Sequence, residues 1–541
     1  MTAEVIWTLV LGLLARGAIA WLLPPGFDEA YYTGYVRHPQ MSYFDHPPMV
    51  GWVAGLGIAL TGDVTQFSIR IGPLLLFTAS LYFLYRTSCH LFDEATGRLT
   101  LILTSLVPFF GVGFGILTLP DSPLMFFWSA CLWLASVEFF PKHSDDIGLY
   151  RPTWRVGAIG GLVGLASLGK YHGFLLGLGL VLFCGLSAPH RRVFRSGWLI
   201  GAIAAFVLFL SPMLIWNAQH DWVSFRFQGA RAVPEGGYRI GDLLLTLLVG
   251  VAYLFPSFGV PLWWTNLRQV PAWQNPKYLW ILCLSLPIYG GFTLMGGYRQ
   301  VLPSWPMPGF FGAMLLLGHR MAIAQGHQPR LIRRWLTISG GIMVTLLLIA
   351  LLHVRFGIIQ KDGAGAIAGG IWQPVDDPST QLIDVAQVRA AFQSSPWRES
   401  LEQADFVFSN NFFFAGQMIM ALGKITDKPI TCFDTDIRGF AYWSRARDFV
   451  GKNGLYLTSE QFQFFDQRAI ADLAAVGETN PAWQLGADER LPAAMVYRAF
   501  FESMTDLGRI PLQRAGGVVQ IVHVYRAQNL QRPYPRPYGY Y

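Results

Sequence analysis

Apolar runs close to the roughly 20 residues that cross a bilayer recur through the first 353 residues and then stop. Spans are predicted near 5–23, 67–86, 98–117, 121–140, 156–169, 173–188, 197–216, 241–264, 278–295, 304–319 and 335–353. The segment 48–62, PPMVGWVAGLGIALT, is apolar but short and opens on two prolines, which suits a helix lying on the membrane interface. From residue 354 the pattern becomes water-facing. ADFVFSNNFFFAGQMIMALG (404–423) reads as strand, polar turn and helix, with Ser409 or Asn410 able to cap, and short strands are predicted at 429–433, 454–458 and 517–525. The Gly- and acid-rich stretch 361–380 reads as flexible, and the Pro/Tyr-rich tail QRPYPRPYGYY as disordered. The expected fold is an α-helical polytopic membrane protein of about eleven spans over residues 1–353, with interfacial helix in the first outer loop, joined to a small soluble α/β domain over 354–541.

Composition agrees with that pattern. The chain is 53% hydrophobic and 13% charged, with a mean hydropathy of +0.37, far from the roughly 25% charged residues of soluble domains. The net charge of +7 is spread over loops between apolar runs, which points to an orientation signal and away from nucleic acid. Four of the five cysteines, Cys89, Cys131, Cys184 and Cys283, lie in or beside apolar runs, so Cys432 has no partner for a disulfide in the soluble part. The first run reads as a retained span, since Glu4 and no Lys or Arg precede it and it continues directly into an acidic loop. Arg16 inside it is either a snorkelling residue or a cavity cation. With the N-terminus cytoplasmic, the cytoplasmic loops carry roughly twice the Lys and Arg of the opposite side. Residues 24–66, Asp121, Lys170 with His172, the loops 217–240 and 296–303 and the C-terminal domain then share one non-cytoplasmic face.

The polar chemistry concentrates in a few places on that face. PPGFDEAYYTGYVRHPQMSYFDHPPMV (24–50) holds Asp28, Glu29, Asp45, His38, His46 and four tyrosines in a chain otherwise poor in charge. Ionisable groups beside a bilayer are costly unless something uses them. Asp28 and Glu29 are neighbours, so on a helix one faces a cavity while the other is solvated or hydrogen-bonded; after Pro24-Pro25-Gly26 they are equally a helix cap and first turn. Asp45 and His46 in YFDHPP are candidates for a divalent ion, or His46 for a phosphate contact. Asp121 in LPDSPL is either catalytic or a helix start. Lys170 and His172 in GKYHGF, Arg231 in the loop 216–239, and Arg299 in GGYRQ supply cations suited to a phosphate. Asp434 and Asp436 read as solvated carboxylates. Carboxylates for a base, cations for an anion and apolar walls fit a sugar carried on a polyprenyl phosphate. The phosphate leaves once its charge is neutralised, and one carboxylate deprotonates the acceptor hydroxyl.

FDEAYY followed by YFDHPP, LPDSPL, GKYHGF and SPMLIWNAQHDWVSFRFQ resembles the bacterial branch of the GT-C glycosyltransferases related to protein O-mannosyltransferases, over most of residues 1–320. That branch includes the aminoarabinose transferase of lipid A and galacturonic acid transferases of the lipopolysaccharide core. The resemblance implies Asp28 as general base, Asp121 as the second acidic motif, and inversion at the anomeric carbon. It also implies a polyprenyl-phosphate-sugar donor and a lipid or glycan acceptor such as lipid A or core lipopolysaccharide. The setting implied is the bacterial inner membrane, with the active site and C-terminal domain periplasmic. No cofactor is required, with a divalent cation at Asp45 and His46 as the alternative. Where the aminoarabinose transferases carry Glu-Lys before Pro-Pro, this chain has Asp45-His46, which looks closer to galacturonic-acid-type or uncharacterised members. A lipid-linked-sugar flippase or transporter, a protein O-glycosyltransferase and a non-catalytic membrane scaffold are the competing expectations.

Overall fold

The computed structural model describes residues 2–540 except 143–149, 235, 362, 364, 375, 484 and 486–488. The chain forms two compact units that interleave along the sequence. The first comprises Met1–Trp21, His46–Gly57 and Arg70–Leu348; the second Leu22–Asp45, Ile58–Ile69 and Ile349–Tyr541. The acidic loop is therefore divided at Asp45/His46, its first part belonging with the C-terminal residues.

The first unit is a helical bundle. Its elements run α1 (Ala3–Leu22), then after α2 (Phe27–Arg37) of the other unit, α3 (Met49–Thr61), α4 (Gln66–Leu91), α5 (Glu94–Leu106), α6 (Asp121–Phe139), α7 (Arg155–Gly169), α8 (Gly173–Leu186), α9 (Gly197–Gln219), α10 (Val223–Ala230), α11 (Ile240–Tyr253), α12 (Pro256–Gln269), α13 (Pro276–Met295), α14 (Met307–His327) and α15 (Pro329–Phe356). Among the described residues seven helices are long and apolar enough to cross a membrane, or nine if each bent pair is one span. The protein is thus a multi-pass membrane protein, and α3 is the short apolar helix expected at 48–62.

Two predicted spans are broken. The run at 241–264 is α11 and α12, bent by 115°. Phe255 sits at φ +65° and Pro256 has no N–H to continue the ladder, so the helix restarts there. The run at 98–117 ends as an α-helix at Leu106 and resumes as a π turn over Phe110–Phe114. Elsewhere close packing holds the bundle. At Gly160 a Cβ would stand 2.2 Å from the Ala202 carbonyl oxygen, so α7 and α9 approach at backbone distance, as small residues allow in membrane bundles. Arg16 is buried, its Nη2 donating to Thr78 Oγ1 at 2.9 Å and its guanidinium lying 5.2 Å from the Phe77 ring centre.

In the second unit, α16 (Val385–Phe392) and α17 (Trp397–Gln403) precede β1 (Phe406–Ser409), α18 (Phe412–Leu422), β2 (Ile430–Cys432), β3 (Gly454–Ser459), the short pair β4 (Phe464–Phe465) and β5 (Leu491–Pro492), and the long hairpin β6 (Phe501–Arg514) and β7 (Gly517–Leu530). The main sheet has the order β2-β1-β3-β7-β6, with β1 parallel to β2 and β3 and the hairpin antiparallel. The predicted strands at 429–433, 454–458 and 517–525 are β2, β3 and part of β7. The helix after β1 is capped by Asn411, whose Oδ1 accepts from the Phe413 and Phe414 amides, rather than by Ser409 or Asn410. Strand β6 carries Pro511 and a bulge, which hides it from a period-two pattern; as an edge strand it tolerates both.

Two expectations for this unit are corrected. The Pro/Tyr-rich tail is packed, not disordered: Tyr534 is buried in the aromatic core, Tyr538 stacks on Phe44 at 4.4 Å, and Arg536 is buried with its guanidinium on backbone carbonyls of 441, 444 and 540. Asp434 is half-buried, and desolvation, with the nearby Asp436 charge, raises its pKa to about 7. Helix α2 packs along α18, where a Cβ on Gly416 would fall 2.6 Å from Tyr31 Cα.

Gly416→Ala is expected to cost about 1–3 kcal/mol by overpacking, read as a lower unfolding temperature of the purified protein. The folded Asp434 binds its proton more tightly than the unfolded chain between about pH 4 and pH 7. That contribution therefore falls as pH rises through this window and stays lost above it. Asp434→Asn should raise the unfolding temperature at pH 8 and gain less at pH 4, as thermal melts at both values would record.

Candidate functional site

The helical bundle joins several of the predicted residues. Asp121 occupies the first turn of α6, after the Leu117–Pro120 turn. Lys170 ends α7 in extended conformation, and its Nζ reaches back to both Asp121 oxygens at 2.8 and 2.9 Å. The two side chains are only 8% and 4% exposed, so they form a buried ion pair. A buried charge needs its counter-charge, which makes Asp121 the partner of Lys170 first of all. Two residues on, His172 begins α8; its ring stacks on Phe292 at 5.4 Å and lies 6.3 Å from Trp305. Lys170 and His46 are both near enough to act on that ring electrostatically.

Arg231 closes α10 and lies over Phe227 at 5.1 Å and Trp305 at 5.8 Å. Trp305 therefore stands between His172 and Arg231. The helix that presents Arg231 is set by an unusual turn. Asp221 and Trp222 are both left-handed, at φ 54° and 56°, and Asn217 holds the turn: its carbonyl accepts from the Trp222 amide and its side chain from the Ser224 amide. Arg299 is also engaged with the backbone. Its Nη1 donates to the carbonyls of Ala230 and Val233, tying down the segment that follows α10. Arg299 also lines an open groove of about 920 Å³, with Arg239, Leu245, Tyr253, Tyr298 and Leu302 among its walls. Apolar walls with guanidinium groups at the same groove suit a lipid bearing an anion.

In the second unit, α2 carries Asp28 exposed in its first turn. Glu29 is buried, and its Oε2 accepts from the Gly26 amide at 2.9 Å, the capping geometry that was the plainer expectation. Asp45 is 1% exposed and accepts from Tyr35 Oη at 2.5 Å and Tyr31 Oη at 3.1 Å, with Arg438 Nη1 3.5 Å away. Burial, then the Asp45 charge, hold both phenols well above their ordinary pKa, so they remain donors. A carboxylate engaged in this way is poorly placed to ligate a cation with His46. Among the described residues no three His, Cys, Asp or Glu side chains gather as a metal site. Sequence reasoning missed Trp305, Phe292 and Arg438. Trp305 follows directly on the GGYRQ loop, but Arg438 lies hundreds of residues from the carboxylate it meets and has no local signal.

Comparison with known proteins agrees with this architecture. Residues 45–216 match the family model for Dolichyl-phosphate-mannose-protein mannosyltransferase. The chain is similar to the lipid A galacturonosyltransferase RgtD of Rhizobium johnstonii, 24% identical over 321 residues, covering 58% of this chain and 63% of that relative, under two thirds of its length. It is also similar to crystal structures of ArnT from Cupriavidus metallidurans. The apo form matches with a TM-score of 0.60 at 13% identity, and the form bound to undecaprenyl phosphate with 0.57 at 12%, each over 97% of this chain and 98% of that one. The fold is that of the GT-C class of membrane glycosyltransferases. The chain shares that fold with ArnT and is similar in sequence to RgtD.

Removing one partner of the Lys170–Asp121 pair strands a buried charge. Asp121→Ala is expected to cost about 3–5 kcal/mol, while a Lys170→Met, Asp121→Leu double variant recovers most of it; unfolding temperatures of the three proteins check this.

Proposed function

We propose that this protein is an inverting membrane glycosyltransferase that moves a sugar from a polyprenyl-phosphate carrier to a lipid or glycan acceptor. Lipid A or core lipopolysaccharide is the acceptor class, and the periplasmic face of the bacterial inner membrane the place. The observation that carries this is the cluster of Lys170, His172, Trp305 and Arg231 at helix ends of the bundle. It offers cations and aromatic surface where apolar spans meet polar loops. The similarity to RgtD, named a lipid A galacturonosyltransferase, and to ArnT bound to undecaprenyl phosphate supports the same assignment.

The chemistry follows from charge. The acceptor hydroxyl oxygen attacks the anomeric carbon as Asp28 takes its proton. The bond from that carbon to the phosphate oxygen breaks, and the electron pair stays with the polyprenyl phosphate. Lys170 and Arg231 stabilise the negative charge that builds there, so neither a general acid nor a metal ion is assigned a step. An incoming phosphate competes with Asp121 for the Lys170 ammonium, which makes Asp121 a tuning partner rather than a second base. His172 and His46 border that ammonium, and the groove lined by Arg239 and Arg299 takes a lipid chain. Glu29 serves by capping α2. The family model's description favours a protein acceptor as the second reading.

With undecaprenyl-phosphate galacturonic acid as donor and purified lipid A as acceptor, Asp28→Asn is expected to lower turnover by about 10²–10⁴-fold while undecaprenyl phosphate still binds. Arg231→Ala should weaken undecaprenyl phosphate binding about tenfold, the worth of one charge-assisted contact. Wild-type turnover in purified Asp28→Asn would remove the base. Transfer to a peptide serine or threonine in place of lipid A would select the second reading.

A further inference from the structure

Asp45 has no step in the reaction above, yet it is held by three side chains from two distant parts of the chain. Helix α2 is only 11 residues long, too short to persist by itself in water, so its attitude is set by what its buried face touches. Tyr31 and Tyr35, one turn apart on that face, both donate to Asp45 Oδ1. On the far side of the carboxylate stands Arg438. Its Nη1 is 3.5 Å from Asp45 Oδ2, its Nε is 3.3 Å from Asp436, and its guanidinium lies 3.9 Å over Phe412 at the start of α18. Arg438 has a left-handed backbone, φ 44°, a conformation unfavourable for a side chain of its type. That conformation presents the next amide, Gly439 N–H, to Tyr31 Oη at 3.0 Å. Tyr31 is thus bracketed, donating to Asp45 and accepting from Gly439, by a segment more than 400 residues away.

We propose that Arg438 and Asp45 are positioning residues for Asp28. Through one guanidinium and one amide, the C-terminal α/β domain sets the rotation and tilt of the helix that carries the base. Asp28 lies three residues before Tyr31, one turn along the same helix, so a shift of Tyr31 is carried to Asp28 by a rigid backbone. Proton abstraction tolerates little displacement: an error of about 1 Å costs about 10²-fold in rate. Neutralising Asp45 is part of the same device. Without the arginine, the buried Asp45 carboxylate would lose its counter-charge and weaken the anchor it gives Tyr31 and Tyr35. This inference rests on Asp28 being the base.

The test uses the full-length protein in nanodiscs, with undecaprenyl-phosphate galacturonic acid and lipid A as substrates. Arg438→Gln is expected to lower kcat about tenfold or more, with undecaprenyl phosphate Kd within about twofold of wild type. Arg438→Lys, which keeps the charge, should regain part of kcat. Asp45→Asn with Arg438→Gln should be no worse than the worse single variant, because both act through one contact. Hydrogen exchange of residues 27–37 should quicken in Arg438→Gln whether or not substrate is present. A folded Arg438→Gln with unchanged kcat, or rate losses that multiply in the double variant, overturns the proposal. If Arg438→Gln does not fold, Asp45→Asn decides alone, since its amide oxygen still accepts from both tyrosines; full kcat there is equally fatal. Asp28→Asn run alongside separates the two ideas. Retained transfer in that variant removes the base and this device with it, whereas lost transfer there beside full kcat in Arg438→Gln removes the positioning role only.

Discussion

A charge withdrawn from water must bring its counter-charge with it, and the arrangement of polar residues in this protein follows from that constraint. In the helical bundle, Lys170 and Asp121 meet 49 residues apart in sequence and are both nearly inaccessible. In the second unit, Asp45 and Arg438 do the same across a far longer stretch of chain. Each pair neutralises a carboxylate that would otherwise be expelled from an apolar setting. Each also fixes a helix end or a short helix whose own backbone is too brief to define its direction.

The two pairs differ in what surrounds them. Lys170–Asp121 sits at the ends of α6 and α7, near a histidine whose ring lies by a tryptophan that also carries the Arg231 guanidinium. Asp45–Arg438 is enclosed by tyrosines and Phe412, with the Asp436 carboxylate also on the guanidinium. The same residue types therefore meet in two different settings.

The acidic loop illustrates how one stretch serves several ends. Of its three carboxylates, Glu29 closes the N-terminus of α2, Asp45 anchors the helix from below, and Asp28 alone is left exposed in the first turn. The neighbours that look equally acidic in sequence take up structural contacts, while Asp28 stays exposed.

Local patterns were legible in the amino-acid sequence because their causes are local. Apolar runs determined the helical bundle, shortness set α3 apart from the long helices, and the strand-turn-helix of β1 and α18 was readable although its cap is Asn411, one residue beyond the asparagine expected. Motif order along residues 24–240 was enough to indicate the GT-C architecture. Contacts between distant residues were not legible, since periodicity carries no information about partners. Nothing near Asp121 names Lys170, nothing in FDTDIRGF announces that Arg438 meets Asp45, and a tail rich in proline and tyrosine looks unfolded until Tyr534 and Arg536 find their places. The division of the acidic loop between two units likewise depended on tertiary packing. Hydrophobic pattern decides which segments leave water; only the folded chain decides which buried charges answer one another.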